Sequence, residues 1–261
     1  MIIKKIIFII FISIFVVLVL NSKLFAKEEF KEIRSTHFIV FYQNCPQDLL
    51  NKIIEAAEYF YNSISEELGF RRFDFWLWED RAKIYIYDSP VKYQNTSQGP
   101  SWSAGDVLPK EKVIRTFVVD EKFLKTTLPH ELGHIIFREF VGFDNPAIPL
   151  WLEEGVASYQ EKEKYNKILI NKAIVSKGFL GLEALNSIKN LSFLDADAAF
   201  LFYLQSYSLV DFLIKNFGRE KFVYFCQNLR DFRNFNKALA LTYSFANLED
   251  LEKAWFSYLK K

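Results

Sequence analysis

The sequence predicts an α+β fold: a small mixed sheet with a helix in an N-terminal lobe, a histidine-bearing helix at the lobe junction, and a mostly helical C-terminal lobe. Three observations predict it. Aromatic and β-branched runs, one with clean period-two alternation, fall within about the first 120 residues. Beyond them apolar residues recur at helical spacing almost to the end of the chain. A hydrophobic fraction of 51% over 261 residues is enough to bury a sizeable core in one domain or two lobes.

At the start of the chain, Lys4 and Lys5 precede an unbroken apolar run, Ile6 to Leu20, after which Asn21 to Ala26 turns polar and small. This is the pattern of an export signal: the run is shorter than the roughly 20 residues of a stable bilayer span. Ala26 suits the last position before cleavage but Leu24 does not suit its own, so a cleaved signal and an uncleaved N-terminal anchor are both open. The expected domain is then 27–261, with an α/β lobe over 27–145 and a helical lobe over 146–261. The location expected of it is outside the cytoplasm: secreted, periplasmic, or tethered to the outer face of the cytoplasmic membrane through residues 1–26.

His37 to Tyr42 and Ala82 to Tyr87 read as strands. Between them, apolar residues from Leu50 to Leu68 at helical spacing, closed by Gly69 as a C-cap, read as a helix opening near Asp48. Gln98 to Gly105 reads as a loop, with Ser103-Ala104-Gly105 as the start of an edge along which a substrate backbone would lie, and Val113 to Val119 reads as a strand. Helices are expected over Glu121 to Val141, Leu150 to about Val175, Phe200 to Phe217 stopped by Gly218, Glu220 to Arg230, and from Asn247 as N-cap to the end.

Charge narrows the partners. Lys and Arg total 33 against 32 acids, a net charge of +1. That balance excludes a strong electrostatic hold on nucleic acid or on an anionic membrane surface, and doublets such as Arg71-Arg72 do not change it. The two cysteines, Cys45 and Cys226, lie far apart with no metal-type spacing; pairing and two free thiols are both open.

Chemistry concentrates in His130-Glu131-Leu132-Gly133-His134, which holds two of the three histidines in the chain. On a helix, residues i and i+4 lie one turn apart on one face, so both imidazoles reach a single ion while Glu131 stands beside it. From this composition the HExxH pattern has a chance expectation of about 0.003 per chain. A catalytic zinc takes three protein ligands and leaves one position open. Metzincins place the third histidine six residues after the second, behind a glycine, and need a Met-turn. Here those places hold Phe140 and Phe137, and the one methionine is Met1, which excludes that class.

Downstream, Pro149-Leu150-Trp151-Leu152-Glu153-Glu154-Gly155-Val156-Ala157 places two acids in the first turn of a proline-started helix. With HExxH, this segment resembles the W-L-x-E-G-x-A of gluzincins, in particular peptidase-MA-like zinc metallopeptidases. The resemblance implies a thermolysin-like catalytic architecture, one Zn2+ bound by His130, His134 and Glu154, and hydrolysis of peptide or protein substrates with Glu131 as general base. It makes Glu153 a bystander. The segment Tyr203-Leu204-Gln205-Ser206-Tyr207-Ser208 is similar to the one whose first tyrosine binds the oxyanion, which implies that role for Tyr203, with Tyr207 as fallback. Ser158, one turn past Glu154, is expected to support a zinc-bound histidine from behind. The aminopeptidase segment that grips a free N-terminus has no counterpart, so exopeptidase action is not implied. The competing reading is a non-catalytic zinc-containing envelope protein that holds polypeptide without cutting it.

Overall fold

In a computed structural model of the chain, the described residues are 30–70, 75–97, 103–117, 120–161, 170, 172–174, 176, 178 and 180–260. The expected signal or anchor at 1–26, the Arg71-Arg72 doublet, Gln98 to Trp102 of the expected loop, and Val118 and Val119 lie outside them. Residues Met1–Lys31 group as one short unit and Glu32–Lys261 as one compact unit.

The N-terminal half carries β1 (Lys31–Arg34), β2 (Phe38–Tyr42), β3 (Ala82–Ile86), β4 (Gly105–Leu108) and β5 (Val113–Thr116), in the sheet order β1-β2-β3-β5-β4. β2, β3 and β5 run parallel, with Val40 opposite Ile84 and Ile84 opposite Ile114, and β4 is the antiparallel edge strand. Alternation decides the faces. Ala82, Ile84 and Ile86 of β3 are buried, whereas Lys83 and Tyr85 are only partly covered. Across the buried face lies α1 (Gln47–Leu68), which turns Leu50, Ile53, Ala57, Tyr61, Ile64 and Leu68 inward and ends at Gly69 with φ 74°.

Helices form the second half: α3 (Leu128–Val141), α4 (Leu150–Tyr159), α5 (Leu182–Ser187), α6 (Ala196–Phe217), α7 (Arg219–Phe232), α8 (Phe235–Tyr243) and α9 (Leu248–Leu259), with the short α2 (Pro90–Gln94) standing before β4. Asn247 caps α9 by accepting from the Asp250 N–H, as the sequence suggested. The α+β arrangement is therefore the one read from the pattern.

One expected helix is bulged and one is broken. The run from Glu121 to Val141 is helical throughout, as expected, but passes through a π-helical turn, Phe123–Thr127, before becoming regular at α3. Pro129 has no N–H to give the carbonyl four residues back, so the ladder is interrupted there. The helix expected from Leu150 to about Val175 breaks after Tyr159, where the Gln160 and Glu161 amides tighten onto the carbonyls of Ala157 and Ser158, and its described residues 170 and 172–174 are again helical. Residues 162–169, 171 and 175 of that stretch lie outside the described ones. β1, α2, α5 and α8 are additional elements too short for periodicity to reveal.

Close contact between helices sets the spacing of the histidine and glutamate residues. α4 packs along α6, and a Cβ at Gly155 would stand 2.4 Å from the Ser206 carbonyl oxygen and 2.7 Å from Val210 Cγ2. On the other flank, a Cβ at Gly133 of α3 would stand 3.0 Å from Ala157 Cα. Both motif glycines are thus places where backbone meets backbone.

Candidate active site

α3 and α4 bring three donor atoms together. His130 Nε2 and His134 Nε2 lie 3.2 Å apart, and Glu154 Oε2 lies 3.5 Å from the first and 3.6 Å from the second. Ligands at the corners of a tetrahedron with metal bonds of about 2.05 Å are about 3.3 Å apart. The triangle matches that size, and these three residues can hold a metal ion. Glu154 Oε2 is buried and has no hydrogen-bond partner among the described residues, an orphaned oxygen that a cation in the triangle would satisfy. Two imidazoles and a carboxylate form a donor set suited to zinc.

Each ring nitrogen turned away from the triangle faces a carboxylate. His130 Nδ1 is 2.8 Å from Glu161 Oε1, and Glu161 is itself only 3% exposed. His134 Nδ1 is 3.6 Å from Glu153 Oε1, and that carboxylate is gripped by Arg138, whose Nε donates to Oε1 at 2.8 Å and whose Nη2 donates to Oε2. The Glu161 contact is of hydrogen-bond length and suits the tautomer that leaves His130 Nε2 free for a metal, whereas Glu153 stands behind His134 as a nearby charge. Burial opposes charge on His130, but Glu154 and Glu161 outweigh it and push its pKa up to about 10. In Glu153 burial is again outweighed, here by His134 and Arg138, and the carboxyl falls to about 2.

Two expectations change here. Glu153 is no bystander, since it stands behind the second histidine. Ser158 is not the partner of either ring: its hydroxyl is fully buried with no hydrogen-bond partner among the described residues, and Glu161 takes the place expected of it. Sequence reasoning missed Glu161 because one helical turn past Glu154 points to position 158. The signal it lacked was the helix end at Tyr159, which swings the next carboxylate back to α3.

The triangle opens into a cleft of about 830 Å³, whose walls include β4, α3, α4 and the start of α6. Glu131, 8% exposed, lines it beside His130; burial comes first in lifting its pKa, Glu154 and Asp106 add to the rise, and the two histidines oppose it. Tyr203 lines the cleft with its ring centroid 6.3 Å from that of His130. Tyr207 instead stacks on Tyr159 at 6.0 Å. Gly105 begins β4 directly over the site: a Cβ there would be 2.9 Å from Thr127 Cγ2 and 3.8 Å from Glu131 Oε1. Arg115 of β5 holds this strand, donating through Nε to Asp106 Oδ1 at 3.0 Å, through Nη2 to Oδ2, and through Nη1 to the Thr96 carbonyl. Ser103, Ala104 and Gly105 all line the cleft, but only Gly105 belongs to the edge strand, and the Ser103 hydroxyl donates to its carbonyl and accepts from its N–H.

Cys45 and Cys226 are both free thiols, Cys226 buried in the core with its pKa raised by burial. Among the described residues no helix is long and apolar enough to cross a membrane.

No curated protein matches the chain at a significant level. A family model described as the peptidase MA superfamily matches residues 78–261, a stretch that leaves out β1, β2 and α1 and takes in the whole of the cleft. With more than two thirds of its length matched, this chain belongs to the peptidase MA superfamily, and is a peptidase by family.

Proposed function

We propose that the chain is a zinc-dependent peptidase of the gluzincin type that cleaves peptide bonds outside the cytoplasm. The observation that carries this reading is the triangle of His130 Nε2, His134 Nε2 and Glu154 Oε2, with its orphaned carboxylate oxygen. These three atoms would hold the ion, with Glu161 and Glu153 keeping the imidazoles in register. Zinc at this place supplies a Lewis acid that polarises a scissile carbonyl and acidifies water to a pKa of about 7.

The remaining chemistry belongs to side chains. Glu131 takes the proton of the attacking water on its carboxylate and passes it to the departing amine nitrogen, and its burial keeps it a stronger base than an exposed glutamate. The Tyr203 hydroxyl donates a hydrogen bond to the carbonyl oxygen as that oxygen gains charge. β4, the edge strand of the sheet among the described residues, would take an extended chain alongside it. The apolar run Ile6 to Leu20 behind two lysines supports export, with 27–261 as the domain delivered.

The test is Glu131→Gln in the full chain, assayed for bound zinc by elemental analysis and for cleavage of a peptide library by mass spectrometry. Stoichiometric zinc with turnover reduced at least about a hundredfold is the expected result. Zinc-loaded wild type that cuts nothing would instead favour a protein that holds polypeptide without cleaving it, and a variant as fast as wild type would remove Glu131 from the mechanism.

A further inference from the structure

One short stretch of chain shows three apolar side chains to water around a fourth that is locked in the core. In Phe75-Trp76-Leu77-Trp78, Trp76 is fully buried, while Phe75 is 60%, Leu77 37% and Trp78 78% exposed. The buried ring packs edge-on against Phe38 and Tyr61 at centroid distances of 5.7 and 5.0 Å, and its indole N–H donates to Glu139 Oε1 at 2.9 Å. Glu139 belongs to α3, and Lys112 Nζ faces the same carboxylate at 3.4 Å. Arg81 holds the other end, donating through Nε to the Thr36 carbonyl at 3.0 Å and through Nη1 to that of Trp78 at 3.3 Å. Trp78 itself has φ 57°, a left-handed conformation that a bulky residue adopts only where its surroundings impose it. Three large apolar groups are thus displayed by a fixed backbone, which marks a binding surface.

Size and charge say what covers them. Three side chains fall far short of the roughly 20–30 residues a side that a stable protein interface uses. Tryptophan and phenylalanine do favour the boundary between lipid headgroups and acyl chains, where a ring leaves water without crossing the hydrocarbon. The exposed acids Glu79 and Asp80 follow directly, so anionic headgroups gain nothing there. A bilayer is within reach: the apolar run Ile6 to Leu20 brings the chain to one, and where that segment is kept, residues 21–30 before β1 span at most about 35 Å. Trp76 is fastened to the end of α3 away from the metal triangle, Glu139 being about 13 Å along the helix axis from His130. None of the three exposed residues lines the cleft, so the contact takes nothing from it.

We propose that Phe75, Leu77 and Trp78 form a membrane tip that seats the domain on the headgroup boundary of a lipid bilayer by shallow apolar insertion. This rests on the export reading above, which delivers the chain to a membrane, and adds to it a contact that holds whether or not residues 1–26 are removed. Insertion of this kind reaches about 5–10 Å into the boundary. It depends on burying rings, so neither anionic lipid nor low salt strengthens it.

The full chain is reconstituted with phosphatidylcholine vesicles, with and without phosphatidylglycerol, and collected by flotation. Lipids brominated near the glycerol end or near the methyl end of the acyl chain then serve as quenchers of tryptophan fluorescence. Residues 1–26 contain no tryptophan, and Trp76, Trp151 and Trp255 are buried, so of the described tryptophans Trp78 is the one placed to meet lipid. Shallow bromines should quench wild type more than deep ones. Trp78→Asn, a residue that tolerates the left-handed backbone, should cut the shallow quenching at least about twofold. Phe75→Ser should weaken it with thermal unfolding unchanged, and phosphatidylglycerol should not strengthen it. Shallow quenching equal in wild type and Trp78→Asn, quenching confined to vesicles with phosphatidylglycerol, or a Trp78-dependent dimer in sedimentation without quenching would each overturn the proposal. Export is read separately from an alkaline phosphatase fused at the C-terminus, which is active only outside the cytoplasm. An active fusion without Trp78-dependent quenching keeps export and removes the tip. A silent fusion with that quenching removes export and keeps the lipid contact, and a silent fusion without it removes both.

Discussion

The two walls of the cleft are held in different ways. On the helical side, α3, α4 and α6 meet at glycines, so the spacing of His130, His134 and Glu154 is set by backbone packing with no room to yield. On the strand side, β4 is held by a side-chain ion pair, Asp106 with Arg115, and by Thr116 Oγ1 donating to the Ala104 carbonyl at 2.8 Å. The helical wall closes on backbone contacts at its glycines, with the Arg138–Glu153 pair across it, and the strand wall adds a buried ion pair to its ladder with β5. Energy and function should therefore come apart: damage to the strand side costs more stability and spares the metal, whereas damage to the helical side costs less stability and reaches the metal directly.

The largest effect is expected from Arg115→Met, which strands the buried Asp106 carboxylate, 8% exposed, without its partner. Thermal and denaturant unfolding should show a loss of about 3–5 kcal/mol, with zinc content preserved and KM raised. Adding Asp106→Leu to it should recover most of that loss, because a buried pair replaced by apolar groups is often neutral. Zinc lost in parallel with stability would break the contrast.

Gly155→Ala addresses the other wall. The added methyl meets the Ser206 carbonyl and Val210, so α4 must move off α6 and carry Glu154 with it. Overpacking of this kind costs about 1–3 kcal/mol. The telling measurement is zinc per protein after dialysis, which should fall even where the variant remains folded. Glu161→Gln is smaller still in stability: it keeps the shape but removes the charge facing His130 Nδ1. Zinc affinity from competition with a chelator should drop about 10- to 100-fold. An unchanged affinity would mean that packing alone aims His130.

The sequence carried much of this site because two kinds of regularity wrote it there. HExxH is one helical turn, and Gly69 and Asn247 mark helix ends by chemistry that any chain obeys. What escaped depends on tertiary placement. Glu161 falls inside the run expected as one helix from Leu150 to about Val175, yet it is buried at His130 because α4 ends two residues earlier. Arg138 and Glu153 lie on different helices, and nothing in their spacing says that they meet. The Asp106 and Arg115 pair depends on the antiparallel register of β4 and β5, which sets the two residues opposite one another. The same holds for Gly155, whose need for a bare Cα appears only once α6 lies against it.

Ser158 is where reading by helical period and reading by packing part most plainly. Its place one turn after Glu154 suggested a hydroxyl serving a histidine, yet its oxygen is buried at 0% exposure without a hydrogen-bond partner among the described residues. A buried donor left unmatched costs free energy, and removing it returns that cost. Ser158→Ala should therefore leave the unfolding free energy unchanged or raise it by up to about 1 kcal/mol, with zinc affinity within error of wild type. This is the smallest of the expected effects and the sharpest on the helical wall, because it changes a polar group there without changing its shape. If zinc affinity fell as it does for Glu161→Gln, the hydroxyl would be taking part in orienting the site. Packing and the Arg138–Glu153 pair could then no longer be the whole of what holds that wall.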